Sequence, residues 1–185
     1  TVPFIDSDRF KPVDWSSFYP NAEEAIPTNA PEPRGKAIVM SCFVDADHAG
    51  NRITRRSHMG IIIFCNRAPI LWFSKCQNTV ETSSFGSEFV AARIAVELIE
   101  GLRYKLRMFG IPVIGPASVF CDNEAVQKSN SDPSQTLNKK HNSVCFHMCR
   151  EAVAAGIVRL GWIKGTENPA DVFTKILDRI KRAKF

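Results

Sequence analysis

Three strand-like segments follow one another before the first helical pattern of the chain, and this order restricts the possible folds more than any other feature. The segments are "KAIVMSCFVDA", "MGIIIFCN" and "APILWFSK", and each is rich in β-branched and aromatic residues. A polar, basic loop separates the first two, and the turn around "NRAP" joins the last two. Three strands with such connections predict an antiparallel meander.

A long amphipathic helix is predicted after the third strand. Its apolar residues recur mostly at helical spacing: Phe85, Phe89, Ala92, Leu98, Ile99, Leu102 and Leu106. Ser83 or Ser84 can cap its first turn, and Gly110 with Pro112 ends it. Because this helix can carry the chain back across the sheet, the next strand, "ASVFC", can run parallel to the first.

Helices and strands alternate in the rest of the chain. A short helix follows "ASVFC", where Asp122 is a candidate N-cap, and another helix is predicted from Asn138 to Ala155. "IVRLGWI" is a fifth strand, and Pro169 begins a last helix. With the two helices between the fourth and fifth strands counted as one helical segment, the order is β-β-β-α-β-α-β-α, which predicts an α/β fold.

Residues 1–34 differ from the rest in composition. They contain six of the eleven prolines, and "IPTNAPEPR" cannot form a helix or a central strand. We predict an irregular arm that docks through its aromatic residues on residues 35–185 or on a neighbouring domain. These aromatic residues are Phe4, Phe10, Trp15, Phe18 and Tyr19.

Charge and cysteine usage narrow the class of protein. The net charge of the chain is +5. Six acidic and three basic residues give the arm a net charge of −3, so residues 35–185 carry +8. A basic domain of this size favours a polyanionic partner. Six cysteines stand singly in apolar or helical patterns, which favours reduced thiols in a cytosolic or nuclear protein. No apolar run reaches the roughly 18 residues of a membrane helix. Since the chain opens on Thr1, we expect it to be a piece of a larger protein.

Four acidic residues fall at strand ends or helix starts. Asp45 ends the first strand and Asp122 follows the fourth, and the C-terminal ends of parallel strands open at one edge of a sheet. Glu88, one turn into the long helix, and Asp171, in the first turn of the last helix, can reach that edge. Converging carboxylates repel one another unless cations lie between them, and oxygen ligands favour Mg²⁺. Two ions about 4 Å apart would support attack of water on a phosphodiester.

Each acid alone also has a purely structural interpretation. Asp45 could be a turn residue, Glu88 a solvated helix residue, Asp122 a cap, and Asp171 a favourable charge at a helix N-terminus. Their joint placement favours the metal centre. Asp47, which follows Asp45 closely, is expected to shape the turn instead.

Polar and basic residues near these acids are candidate substrate contacts. The loop "SKCQNTVETSS" offers amide and hydroxyl groups that can reach the 2′-hydroxyls of RNA. Two basic clusters, in the loop after Asp45 and at the start of a helix, can bind phosphates. Each group could equally be an exposed polar or basic surface. The candidates are Arg52, Arg55, Arg56, Lys75, Gln77, Asn78, Thr79, Lys139, Lys140 and Lys164.

Two further patterns have functional alternatives that we disfavour. His141, Cys145 and Cys149 share one helix face, which would suit zinc, but no paired cysteine completes a four-ligand site. We therefore expect helix packing and no zinc. Trp72 and Trp162 lie within strands and are expected in the core rather than as base-stacking platforms.

Five segments match one known family in order and spacing. They are "CFVDADHAG", "TRRSHMGIIIFCNRAPILWFSKCQNTVETSSFGSEFVAARIA", "VFCDNEAV", "KKHNSVCFHMCREAVAAGIVRL" and "NPADVFTKIL", and they run from about Ser41 to Leu177. With them the chain resembles the ribonuclease H domain of copia-type (Pseudoviridae-like) LTR-retrotransposon Pol polyproteins. Residues 1–34 resemble the tether that joins reverse transcriptase to this domain, and residues 35–185 would be the ribonuclease H domain.

The resemblance implies the ribonuclease H fold, with a five-stranded mixed sheet (three antiparallel strands, then two parallel) and helices on both faces. It implies endonucleolytic cleavage of the RNA strand of RNA–DNA hybrids, with two Mg²⁺ ions or Mn²⁺ as a substitute. The partner would be a reverse transcriptase domain in the same polyprotein, and the location a cytoplasmic retroelement particle or the nucleus. The family's catalytic, metal-binding acids correspond to Asp45, Glu88, Asp122 and Asp171.

The chain departs from the family pattern at three places. Gly86 stands where the helix motif often has the first of two acids, although the second is retained. Cys76 stands where arginine is frequent. Many relatives have a histidine before the last acid that is thought to assist product release, whereas this loop offers Lys164, Thr166 and Glu167.

Two other functions remain as alternatives. A catalytically silent or domesticated module could bind nucleic acid or a protein, although retention of all four acids argues against it. An integrase or transposase of related fold would carry its glutamate after the second aspartate. Here Glu88 lies between Asp45 and Asp122, which disfavours that class.

Overall fold

The strands and helices of the computed structural model follow the predicted order. The structure describes residues 10, 13–137 and 143–175. The strands are β1 (Met40–Ala46), β2 (His58–Cys65), β3 (Ala68–Cys76), β4 (Ala117–Cys121) and β5 (Val158–Trp162). The α-helices are α1 (Ser84–Met108), α2 (Glu124–Ser131) and α3 (Ser143–Ala154), and two 3₁₀ helices follow β5 at Gly165–Glu167 and Pro169–Phe173.

The five strands form one mixed sheet in the order β3-β2-β1-β4-β5. The first three strands are antiparallel neighbours, whereas β1 pairs with β4, and β4 with β5, in parallel. The predicted antiparallel meander and the parallel return after α1 are therefore confirmed. In this register Phe43 lies beside Phe120 and Asp45 opposite Gly60.

Alternate residues of β1 support two separate cores. Cys42 and Val44 belong to the larger core, to which α1, α2 and α3 all contribute. Phe43 points to the opposite face, where it stacks on Phe120 with ring centroids 5.1 Å apart. That face is covered by Ala170 of the second 3₁₀ helix and by Phe10 of the arm. Helical segments thus lie on both faces, with all described α-helices on the first.

The ends of α1 follow the predicted signals. The Ser83 hydroxyl accepts a hydrogen bond from the Gly86 amide at 3.2 Å, so Ser83 is the N-cap. The helix ends before Gly110, whose φ of +70° is the left-handed conformation that glycine adopts without strain. The sequence signals therefore set where α1 begins and ends.

The later helices differ from the prediction in detail. Asn123, not Asp122, caps α2 by accepting hydrogen bonds from two amides of its first turn. Of the helix predicted from Asn138, residues 138–142 lie outside the described residues. Pro169 starts a short 3₁₀ helix rather than an α-helix within the described part of the chain. No helix among the described residues is long and apolar enough to cross a bilayer.

The arm contacts the domain through aromatic and charged side chains. Trp15 is buried, and the Arg150 guanidinium lies 5.0 Å from the centre of its ring. Glu24 accepts hydrogen bonds from Arg103 at 2.6 and 2.8 Å and also from Arg107. The predicted docking surface is therefore on this domain for the described part of the arm, while the division at residue 34 stays a prediction.

Two side chains expected in the core are exposed. Trp72 and Trp162 are 58% and 42% exposed, because each strand presents one of its faces to solvent at these positions. All six cysteines are free thiols, as predicted. Burial raises the pKa of Cys121 and Cys149 to about 12, so both remain protonated at neutral pH.

We expect Glu24→Gln to lower the free energy of unfolding by about 3 kcal/mol, since it leaves the buried charge of Arg103 without its carboxylate. Urea unfolding measures the difference. Glu23→Gln changes an exposed neighbour and is the matched control. Equal losses in both variants would show that the ion pair does not anchor the arm.

Candidate metal centre

The parallel pairing of β1 and β4 brings three of the four predicted acids together. Asp45 lies in β1, Asp122 directly follows β4, and Glu88 lies in the second turn of α1. One carboxylate oxygen from each of them lies within 4.8 Å of the other two. Asp45 and Glu88 are buried and Asp122 is partly exposed, so the cluster opens to solvent on one side.

Asp171 joins this cluster through a cation. The Lys175 ammonium donates hydrogen bonds to Asp171 Oδ1 at 2.8 Å and to Asp45 Oδ1 at 3.1 Å. The Thr174 hydroxyl donates to the second oxygen of Asp45. The structure therefore brings all four predicted acids to one edge of the sheet, with Lys175 between Asp45 and Asp171.

The carboxylates raise one another's affinity for protons. Burial raises the pKa of Glu88 to about 9, and the nearby Asp45 and Asp122 carboxylates add to the shift, while a hydrogen bond from the Ala46 amide opposes it. Burial also raises the pKa of Asp45, against the opposing contributions of Thr174 and Lys175. Negative charge is therefore under-compensated in this cluster.

The donor set suits a hard divalent cation. Glu88 Oε2 is buried and has no hydrogen-bond partner among the described residues, which is costly unless another group binds it. Carboxylate oxygens are the ligands that Mg²⁺ and Mn²⁺ take in proteins. Asp45, Glu88 and Asp122 could hold such an ion, and the buried oxygen of Glu88 would gain a partner.

Glycine and asparagine let the last acid approach β1. A Cβ on Gly60 would lie 2.6 Å from Phe173 Cβ and 2.8 Å from the Ala170 carbonyl oxygen, so only glycine leaves room for the 3₁₀ helix Pro169–Phe173. Asn168 is fully buried, donates to the Val44 carbonyl at 2.8 Å and caps that helix. The sequence analysis singled out neither Gly60 nor Asn168, although Asn168 begins the motif "NPAD" that ends in Asp171.

Asp122 is held by main-chain and indole contacts. The Trp162 indole N–H donates to the Asp122 carbonyl oxygen at 3.0 Å, which accounts for one role of this exposed tryptophan. A Cβ on Gly165 would lie 2.9 Å from Asp122 Oδ2, so the loop after β5 passes close to the carboxylate. This is the loop in which the sequence offers Lys164, Thr166 and Glu167.

The predicted turn role of Asp47 agrees with its contacts. Asp47 Oδ1 accepts a hydrogen bond from the His58 amide at 2.5 Å. A Cβ on Gly50 would lie 1.9 Å from Asp47 Oδ2, so the carboxylate packs directly against this glycine. Asp47 therefore shapes the loop, and Asp45 alone faces the other acids.

Gln77 is not placed for substrate contact. Its side chain is 1% exposed, and its amide donates to the Ser87 carbonyl at 2.8 Å. The proposed substrate role for Gln77 therefore conflicts with its burial, because packing against the first turns of α1 withdraws the amide from solvent. Gln77 instead supports the residue that precedes Glu88.

Three other candidates, from the end of β3 and the loop after it, line one groove. Lys75, Asn78 and Thr79 are exposed and border a groove of about 410 Å³ between the sheet and α1. Arg93 of α1 lines it as well, which the sequence analysis missed because a lone arginine on a helix has no distinctive pattern. Cationic and hydrogen-bonding groups therefore converge in this groove.

The other basic candidates are less concentrated. Arg52, Arg55 and Arg56 are exposed in the loop between β1 and β2, and Lys164 is exposed after β5. Lys139 and Lys140 lie outside the described residues, as does His141 of the disfavoured zinc set. Cys149 is buried in the larger core and Cys145 packs against it, which is the alternative that the sequence favoured.

A glutamate fills the space beside Gly86, where the family motif often has an acid. Glu81 is buried, and a Cβ on Gly86 would lie 2.5 Å from its Oε2. A side chain at residue 86 would therefore displace this carboxylate. A carboxyl group therefore lies beside the start of α1, although it comes from the preceding loop.

Solved structures define the class of the fold. The chain has a TM-score of 0.56 to an RNase H1, LC11, in complex with an RNA/DNA hybrid, with 16% identity over 72% of this chain and 92% of that one. It has a TM-score of 0.51 to a foamy viral protease-reverse transcriptase in complex with an RNA/DNA hybrid, with 15% identity over 83% of this chain and 22% of that one. The predicted ribonuclease H fold is confirmed.

Sequence relatives point to one kind of polyprotein. The chain is 27% identical over 146 residues, 79% of its length, to the retrovirus-related Pol polyprotein from transposon RE1 of Arabidopsis thaliana. It is 29% identical over 147 residues, 80% of its length, to that from transposon TNT 1-94 of Nicotiana tabacum. The chain spans about a tenth of the length of these relatives. No family model matches it. The resemblance to the ribonuclease H domain of copia-like Pol polyproteins is confirmed.

We expect the metal-free protein to lose stability as pH rises. Folded Glu88 keeps its proton up to a pKa of about 9, whereas the unfolded residue releases it near 4.5. Between these values the folded state binds more protons, so the free energy of unfolding falls with increasing pH. Urea unfolding in a chelating buffer from pH 5 to pH 9 measures the slope. Glu88→Gln should flatten it, and an unchanged slope would contradict the assignment.

We expect Gly60→Ala to lower the free energy of unfolding by about 2 kcal/mol, since the methyl group meets backbone of the 3₁₀ helix Pro169–Phe173. Displacement of that helix should also weaken Mn²⁺ binding, measured by calorimetry. Gly101→Ala is the control, because open space surrounds Gly101 in α1 and alanine there should stabilise the helix by about 1 kcal/mol. Wild-type metal affinity in Gly60→Ala would contradict this explanation.

Proposed function

We propose that this chain is the ribonuclease H domain of a retrotransposon Pol polyprotein and hydrolyses the RNA strand of RNA–DNA hybrids during reverse transcription. The observation that carries the proposal is the convergence of Asp45, Glu88 and Asp122 within 4.8 Å at the edge of a ribonuclease H sheet. The relatives are Pol polyproteins, and two structural neighbours were solved with an RNA/DNA hybrid.

Asp45, Glu88 and Asp122 would hold divalent ions, with Asp171 beside them. Mg²⁺ held there, or Mn²⁺ in its place, would supply a water of lowered pKa and would stabilise the leaving 3′ oxygen. The chain's own contribution is to fix the carboxylates. Thr174 orients Asp45, and the Ala46 amide binds Glu88. Glu88 must release its proton before it can act as a ligand, so metal binding would be coupled to proton release.

The groove beside α1 would bind the hybrid. Lys75 and Arg93 can pair with phosphates, and Asn78 and Thr79 can donate hydrogen bonds to the sugar–phosphate backbone. Arg55, Arg56 and Lys164 would add exposed positive charge around the centre. Binding should therefore weaken steeply with salt. A reverse transcriptase domain of the same polyprotein would be the protein partner, inside a cytoplasmic particle.

The test is cleavage of a hybrid with a labelled RNA strand in Mg²⁺. We expect Asp45→Asn and Asp122→Asn each to slow cleavage by more than about 100-fold, because even residues that only support metal ligands contribute 10- to 100-fold. Glu124→Gln is the control, since Glu124 is exposed two residues after Asp122 and pairs with Lys128 in the i, i+4 position.

The outcomes separate the enzyme from a silent binding module. Cleavage by wild type and loss in both aspartate variants would support the enzyme. An inert wild type that still binds the hybrid would favour the binding module. Equal cleavage by all three proteins would remove these aspartates from the mechanism.

A further inference from the structure

Lys175 is the cation that compensates the two most buried aspartates of the centre. Its ammonium lies 3.1 Å from Asp45 Oδ1 and 2.8 Å from Asp171 Oδ1. The side chains of these aspartates are 0% and 2% exposed, whereas that of Lys175 is 41% exposed. One partly exposed ammonium thus pairs with two buried carboxylates.

Thr174, the residue before Lys175, also binds Asp45. Thr174 donates its hydroxyl to the Asp45 oxygen that Lys175 does not bind. Both oxygens of Asp45 therefore have donors from the two consecutive residues Thr174 and Lys175. Glu88 Oε2, in contrast, has no hydrogen-bond partner among the described residues. Thr174 and Lys175 thus satisfy the carboxylate of Asp45, whereas Glu88 Oε2 is left for an added ligand.

We propose that Lys175 is the internal counter-ion of the metal-free centre and that a divalent ion bound between Asp45 and Asp171 must displace its ammonium. The inference rests on the proposed metal centre. An ammonium hydrogen-bonded to both oxygens fills the space between them, and a divalent ion there would repel it. The Lys175 side chain is 41% exposed, so its ammonium can move into solvent when an ion replaces it.

Lys175 is therefore a positioning residue that has opposite effects on the stability of the metal-free protein and on its affinity for metal. Without metal it stabilises the folded protein, since it compensates charges that cannot reach water. With metal it competes, since the ion must replace an existing ion pair before it gains its own contacts. A neutral residue of similar length at this position should therefore weaken the metal-free fold and strengthen metal binding.

The experiment compares Lys175→Met with wild type in the whole chain. In chelating buffer, we expect Lys175→Met to melt several degrees lower, and we expect saturating Mn²⁺ to close that gap. Calorimetric titration should show about tenfold tighter Mn²⁺ binding by Lys175→Met, because the ion pair no longer has to be broken. Lys128→Met removes an i, i+4 ion pair of the same 2.8 Å length at an exposed site and should change neither quantity.

A second variant separates charge from packing. Lys175→Arg retains the positive charge, so it should keep the melting temperature in chelating buffer and should not tighten Mn²⁺ binding. Weaker Mn²⁺ binding by Lys175→Met, or a melting gap that Mn²⁺ leaves unchanged, would overturn the proposal. Equal effects of the methionine and arginine variants would also overturn it.

Failure of this inference is distinguishable from failure of the proposed function. Hybrid cleavage by wild type, with unchanged Mn²⁺ affinity in Lys175→Met, would overturn the inference alone. Tighter Mn²⁺ binding by Lys175→Met, with no cleavage of the hybrid by wild type, would overturn the function alone. Absence of Mn²⁺ binding to wild type would overturn both.

Discussion

Parallel pairing between β1 and β4 places the ends of two central strands side by side, and the candidate centre is built around that edge. Asp45 and Asp122 lie there because both strands run in the same direction. The meander of β1, β2 and β3 and the crossover through α1 produce this parallel pair. The start of α1 then brings Glu88 to the same edge. Without the crossover, the two aspartates would lie at opposite ends of the sheet.

The cost of burying carboxylates explains several neighbouring residues. Asp45 is fully buried and Asp171 nearly so, which is unfavourable for charged groups without partners. Lys175 and Thr174 satisfy Asp45, and the Ala46 amide contributes to Glu88. These donors reduce the repulsion but do not remove it, since Glu88 still holds its proton up to a pKa of about 9. A site with this residual charge is suited to cations.

Close backbone approach is the second requirement of the centre. Gly60 allows the 3₁₀ helix Pro169–Phe173 to lie on β2, directly opposite Asp45 in the register. Asn168 ties the same helix to the Val44 carbonyl. On the other side, Gly165 brings the loop after β5 against Asp122. Small residues and one buried amide therefore set the distances that the carboxylates need.

The sequence by itself determined the order of elements, the caps of α1 and the identity of the four acids. Hydrophobic periodicity and turn residues are local features of a sequence. The motifs "VDAD", "FCDN" and "NPAD" stand at the ends or starts of segments that these features mark clearly. Gln77 and the two strand tryptophans were misjudged, because burial depends on which face of a strand or loop packs against the helices. The contacts of Gly60, Arg93 and Lys175 were decided only by tertiary structure. Each depends on contact with a segment distant in sequence, such as the 130 residues that separate Asp45 from Lys175, and local patterns carry no information about such contacts.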